Sequence, residues 1–177
     1  PAPGEGDPPA DMESAGSARS GRALVRLDVA GTALFTAVVA IAVPLRDQRA
    51  AQVTVAAVSL ALFAAGTVLS LWAYALAVDR SRRDEMGVAN LYLLTGTTAP
   101  PALRRTMTAA LVAQCVVAVT GAALGMRGLG AEQLNALAFG VLVPMLGIGA
   151  NGAWAARYGA FGPRVTDTRP ARRRPSP

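Results

Sequence analysis

The chain has 177 residues, of which 53% are hydrophobic and only 16% charged, and its formal net charge is +6. An apolar excess of this size lies outside the composition of ordinary soluble domains. All seventeen basic residues are arginine and there is no histidine, which excludes histidine-based acid–base catalysis, histidine triads and histidine metal sites. Cys115 stands alone, so neither an intramolecular disulfide nor a thiolate zinc site is possible.

Residues 1–22 are rich in proline, glycine, alanine and serine and have no apolar run. They read as a disordered tail and not as a signal peptide. A first apolar block covers residues 24–45, with Arg26 and Asp28 at its start and Pro44 at its far end. Its uncharged part, Val29 to Leu45, is near the minimum length for a membrane crossing, which places Asp28 at headgroup level, where an acid costs little. The linker Arg46–Arg49 is too short for anything but an antiparallel turn.

The second block, residues 53–78, holds no charge and no proline. As a helix it is about 39 Å long, more than a hydrocarbon core of roughly 30 Å. Ala57, Ala61 and Ala65 recur every four residues. A small-residue face of this kind lets a neighbouring helix approach closely within lipid. Trp72 and Tyr74 approach its exit, where aromatic belts sit.

Residues 79–105 form the longest internal polar stretch. Ser81 and Asp84 have capping-box spacing, and Val88, Leu91, Tyr92 and Thr95 share a helical face, which predicts a short helix over 84–95. That helix is too short to span; it lies in the interface or packs under the bundle. Pro100 and Pro101 break the chain and start the next helix.

The third block, residues 106–125, contains the G-x-x-x-G pair Gly121 and Gly125, and Gln114 near its middle. A buried carboxamide needs a partner, so Gln114 should face another helix. Cys115 beside it reads as a small buried apolar residue. The fourth block, residues 134–156, contains Pro144 with Gly140 four residues earlier, a pattern that predicts a kinked helix. Residues 159–177 read as a disordered basic tail, in which Arg172, Arg173 and Arg174 are candidate contacts for anionic lipid.

Fourteen arginines fall in the N-terminal segment, the 79–105 stretch and the C-terminal tail, against three in the other two loops. The positive-inside rule therefore places both termini in the cytoplasm, with four crossings of a bacterial inner membrane. The arginines flank oily segments and make no aromatic-rich basic face, so nucleic acid is not an expected partner. No lysine-bearing phosphate loop, nucleophile–base pair or cofactor motif is present. Asp28, Gln114 and Asn151 are the polar residues of interest within the blocks. They serve either as interhelical hydrogen bonds or as a polar path for a small solute or ion.

With its four blocks, the NLYLLTG segment of the basic 79–105 stretch and the late FGVLVPM…GIGANGAWAARYGAFGPR segment, the chain resembles small uncharacterised four-span membrane proteins of actinobacteria over residues 24–164. The alanine-rich, arginine-for-lysine composition fits a high-GC genome. The resemblance implies a fold and no activity. The expected architecture is all-α: a four-helix transmembrane bundle with a short cytoplasmic interfacial helix between spans two and three. The expected role is non-enzymatic, as a structural or accessory component without a cofactor. Its partners would be the lipid bilayer and another membrane protein or a second copy. The rival expectation is a transporter or channel for a small solute or ion.

Overall fold

The computed structural model describes residues 10–126 and 135–163, and of residues 10–19 the backbone alone. Arg172, Arg173 and Arg174 lie outside the described residues. Among the described residues the fold is all-α but for one two-residue pairing. Helix α1 runs Ala10–Ala42, α2 Arg49–Arg80, α3 Val88–Leu93, α4 Pro101–Gly125 and α5 Pro144–Tyr158. A 3-10 segment, Ala136–Leu142, leads into α5. Strands β1 (Asp84–Glu85) and β2 (Gly162–Pro163) pair antiparallel. Among the described residues, four segments are long and apolar enough to cross a membrane: Ser20–Ala42, Arg49–Arg80, Pro101–Gly125 and Ala136–Tyr158. Each lies within a few residues of a block read from the sequence.

Helix α1 begins at Ala10, so residues 10–22 are helical where disorder was expected. Extending an existing helix adds one hydrogen bond per residue fixed and needs no new nucleus. Alanine, methionine, glutamate and arginine in this stretch all favour it.

The four long segments alternate in direction. Gly21 lies against Trp154 and Tyr158, and Arg80 donates to the Ala156 and Gly159 carbonyls. The Gly21 turn of α1 therefore sits with the ends of α2 and α5. At the opposite end, Val39 meets Gly121 and Leu137 meets Gly125. Each end has its own apolar cluster. One gathers Ala73, Leu91, Leu94, Met107, Ala153 and Trp154. The other gathers Phe35, Val39, Val55, Ala118, Leu137 and Val143.

Helices α2 and α5 make the most extensive contact. Gly66 and Gly149 make it possible. A Cβ on Gly66 would strike the Met145 backbone, and one on Gly149 would strike the Gly66 carbonyl. The two backbones touch with no side chain between them, as residues without a Cβ allow.

Pro144 does not kink a continuous helix. It occupies the first turn of α5, where its missing N–H is no loss. The residues before it are 3-10, with Val143 N–H on the Gly140 carbonyl and Leu146 N–H on the Val143 carbonyl. Gly140 makes room for Phe35, whose Cζ would lie 3.0 Å from an added Cβ.

The stretch between α2 and α4 also differs from expectation. Ser81 is the last-turn neighbour of α2, its hydroxyl on the Val78 carbonyl, and it caps no new helix. Asp84 and Glu85 are extended, which leaves α3 six residues long. Leu94, in the left-handed region at φ 52°, ends it. Of the face that the spacing gave, Leu91 is buried and Tyr92 packs beside it against Gly152 of α5, while Val88 is 76% exposed and the buried Leu94 joins from outside that face.

Candidate functional site: a polar layer between two apolar clusters

Between the two apolar clusters lies a layer of polar side chains from two helices, joined by a backbone N–H of a third. Asp28 of α1 and Gln114 of α4 are both fully buried. Gln114 Nε2 donates to Asp28 Oδ1 at 2.9 Å and to Thr32 Oγ1 at 2.7 Å. Its Oε1 accepts the Gly147 N–H of α5 at 3.1 Å. Thr32 Oγ1 in turn donates to the Asp28 carbonyl, one turn earlier, at 2.8 Å. The carboxamide thus uses both donor hydrogens and an acceptor lone pair, and it ties α1, α4 and α5 together. Gly147 is the position that admits it: an added Cβ would lie 2.9 Å from Gln114 Oε1 and 3.0 Å from Leu111 Cδ1.

The location of Asp28 corrects the sequence reading. Within the apolar segment Ser20–Ala42 it lies about 12 Å in from the Ser20 end, not at its rim. Its partner Gln114 is near the middle of α4. The uncharged run from Val29 does not mark the limit of the segment. The helix continues past Arg26 and Arg22, whose long side chains reach outward. Asp28 Oδ2 is buried with no hydrogen-bond partner among the described residues. Burying an ionisable oxygen without a hydrogen-bond partner is costly.

Asn151 does not join this layer. Its Nδ2 donates to the Tyr92 carbonyl at 3.1 Å, tethering α3 to α5, and Tyr92 Oη donates to the Ser70 carbonyl of α2 at 3.2 Å. The three polar residues therefore divide into an Asp28–Gln114 pair and a separate Asn151 tie. Asn151 Oδ1 and Ser59 Oγ are also buried without a partner among the described residues.

The two small-residue patterns divide as well. Gly121 and Gly125 are spent inside the chain: a Cβ on Gly121 would lie 2.9 Å from Val39 Cγ1, and one on Gly125 2.8 Å from Leu137 Cδ1. Ala57, Ala61 and Ala65 point outward and are exposed, with Leu60 and Val68 beside them. The buried face of α2 is instead Val55, Ser59, Gly66, Ala73 and Ala77. Cys115 is exposed on the outer surface of α4, contrary to the expectation that it is buried.

Arg80 was not singled out in the sequence beyond its charge. It pairs with Asp84 at 3.0 Å, donates to the Ala156 carbonyl at 2.8 Å and lies 5.2 Å from the centre of the Phe161 ring. It closes the C-terminal end of α5, where carbonyls lack helical partners. A lone arginine in DRSRRDE carries no signal that separates it from Arg82 and Arg83, both exposed.

The chain matches no family model, no curated protein and no solved structure.

Proposed function

We propose that the chain is a multi-pass integral protein of a bacterial inner membrane, with both ends in the cytoplasm, and that it serves as a non-enzymatic accessory component of a membrane complex. α3 is read as lying at the cytoplasmic edge, docked on α5. The observation that carries the reading is the outward ridge of Ala57, Ala61 and Ala65 on α2. Facing lipid, it is the surface along which a helix of a partner or a second copy packs closely. The whole bundle is one candidate unit, since its internal faces are filled by Gly66, Gly121, Gly125 and Gly149.

The test is cysteine crosslinking in native membranes, in a Cys115→Ala background. Ala61→Cys should give one discrete adduct, lost when Ala57→Leu and Ala65→Leu are added. Val119→Cys, exposed on α4, is the control. If Ala61→Cys gives no adduct beyond that control, the accessory reading fails.

A second reading, transport of a small solute or ion, is favoured by the unpartnered Asp28 Oδ2 in the polar layer. It requires that Gln114→Leu abolish flux in liposomes while the protein still folds. Unchanged flux in that variant contradicts it.

A further inference from the structure

The outer surface of α4 carries a groove of about 630 Å³, walled on its other side by the segment after α3. We propose that this groove holds one anionic phospholipid, headgroup on Arg104 and Arg105 and acyl chain along Ala109 and Val112. The proposal rests on the chain being membrane-embedded.

The chemistry changes along the groove in the order of a lipid's own parts. Arg105, Thr108, Ala109 and Val112 line it. Their spacing puts them on one face of α4, over about 10 Å of helix. The arginines stand at the helix start, the hydroxyl of Thr108 comes next, and the apolar residues lie deeper. Leu93, 52% exposed, adds apolar surface to the lining from outside α4. Beyond Val112, the exposed Val116 and Val119 continue the apolar path along α4.

Charge complementarity commits the groove to an anion. Among the described residues, no acidic one lines it. Arg104 Nη1 donates to the Gly96 carbonyl at 2.7 Å, which fixes that guanidinium at the groove wall. Arg105 is exposed and has no hydrogen bond or ion pair among the described residues. The first turn of α4 contains no acid, and Pro100 supplies no side-chain cap, so the positive end of the helix dipole adds to the same field. A free phosphate would answer the arginines but leave Leu93, Ala109 and Val112 uncovered. Basic pockets beside spans are a recurrent form of headgroup site.

The experiment is native mass spectrometry of the full chain, extracted in mild detergent from carbonate-washed membranes, titrated with phosphatidylglycerol or phosphatidylcholine. Extraction from washed membranes establishes embedding separately from lipid choice. One phosphatidylglycerol per chain is expected, bound at least tenfold more tightly than phosphatidylcholine. Arg105→Gln should weaken it about fivefold, and it removes no internal bond. Ala109→Trp, which fills the trough, should weaken both lipids. The pair Arg82→Gln and Arg83→Gln removes two charges from the same end of the molecule outside the groove and should leave binding unchanged. Circular dichroism checks that each variant folds. Equal binding of the two lipids overturns the proposal. So does an equal loss in the Arg82/Arg83 variant, which would mean diffuse charge attraction. Full competition by millimolar inorganic phosphate overturns the acyl-chain part and with it the lipid.

Discussion

Replacing Gln114 by leucine removes the carboxamide of the polar layer at nearly constant volume. Three hydrogen bonds disappear, to Asp28, Thr32 and the Gly147 N–H. Interhelical hydrogen bonds within a membrane average roughly 0.6 kcal/mol, with peptide values up to about 2. The larger effect is what remains. Asp28 loses its only side-chain donor among the described residues, and a buried polar atom left unsatisfied costs about 1–3 kcal/mol more. Gln114→Leu should therefore destabilise the bundle by about 3–5 kcal/mol, read from unfolding in mixed dodecylmaltoside and dodecyl sulfate micelles by circular dichroism. Asp28→Asn keeps an acceptor for Gln114 and should cost about 1 kcal/mol or less. In a double-mutant cycle, Gln114→Leu with Asp28→Ala should show coupling of about 1–2 kcal/mol, because the second change removes the orphaned carboxyl. A single-variant cost under about 0.5 kcal/mol, or strict additivity, would refute the claim that this pair holds the helices in register.

Other outcomes follow from the same geometry. Gly149→Ala forces a Cβ onto the Gly66 carbonyl and should destabilise by at least about 2 kcal/mol in the same assay, whereas Gly162→Ala meets open space and should be neutral. Pro144→Ala should change stability by no more than about 0.5 kcal/mol, since proline there only begins α5; a large loss would mean that the ring shapes a kink. Arg80→Gln should speed amide exchange at Gly159 and Ala160 and lower stability by about 1–3 kcal/mol, with Arg80→Lys restoring less than half, because one ammonium cannot serve Asp84 and two carbonyls in the planar arrangement of a guanidinium.

The helices themselves were legible because unbroken apolar runs of this length have few other uses. Gln114 was legible for a related reason: a carboxamide in an oily segment has to find a partner. What periodicity could not choose was the inner face of α2. In a lipid-facing helix both faces are apolar, so no polar stripe marks the outside, and Ala57, Ala61 and Ala65 look the same in sequence as Val55, Ser59 and Gly66. The burial of Asp28 is not legible locally, because Arg22 and Arg26 lie within the helix and send their side chains outward instead of ending it. The brevity of α3 was hidden because its limits depend on contacts far along the chain, Asp84 and Glu85 pairing with Pro163 and Gly162. The 3-10 segment before Pro144 is shaped by Phe35 filling the place of a side chain at Gly140, which no local pattern encodes.

Cys115 reports directly on whether the four apolar segments lie in a bilayer. It is the single cysteine of the chain, halfway along α4 and exposed on the outer surface of the bundle. In carbonate-washed membranes a charged maleimide should leave Cys115 unmodified until the sample is denatured in dodecyl sulfate, while a cysteine placed at the exposed Arg83 in a Cys115→Ala background reacts at once on the accessible side. Rapid modification of Cys115 in intact membranes, or recovery of the chain in the carbonate wash, would contradict a bilayer location.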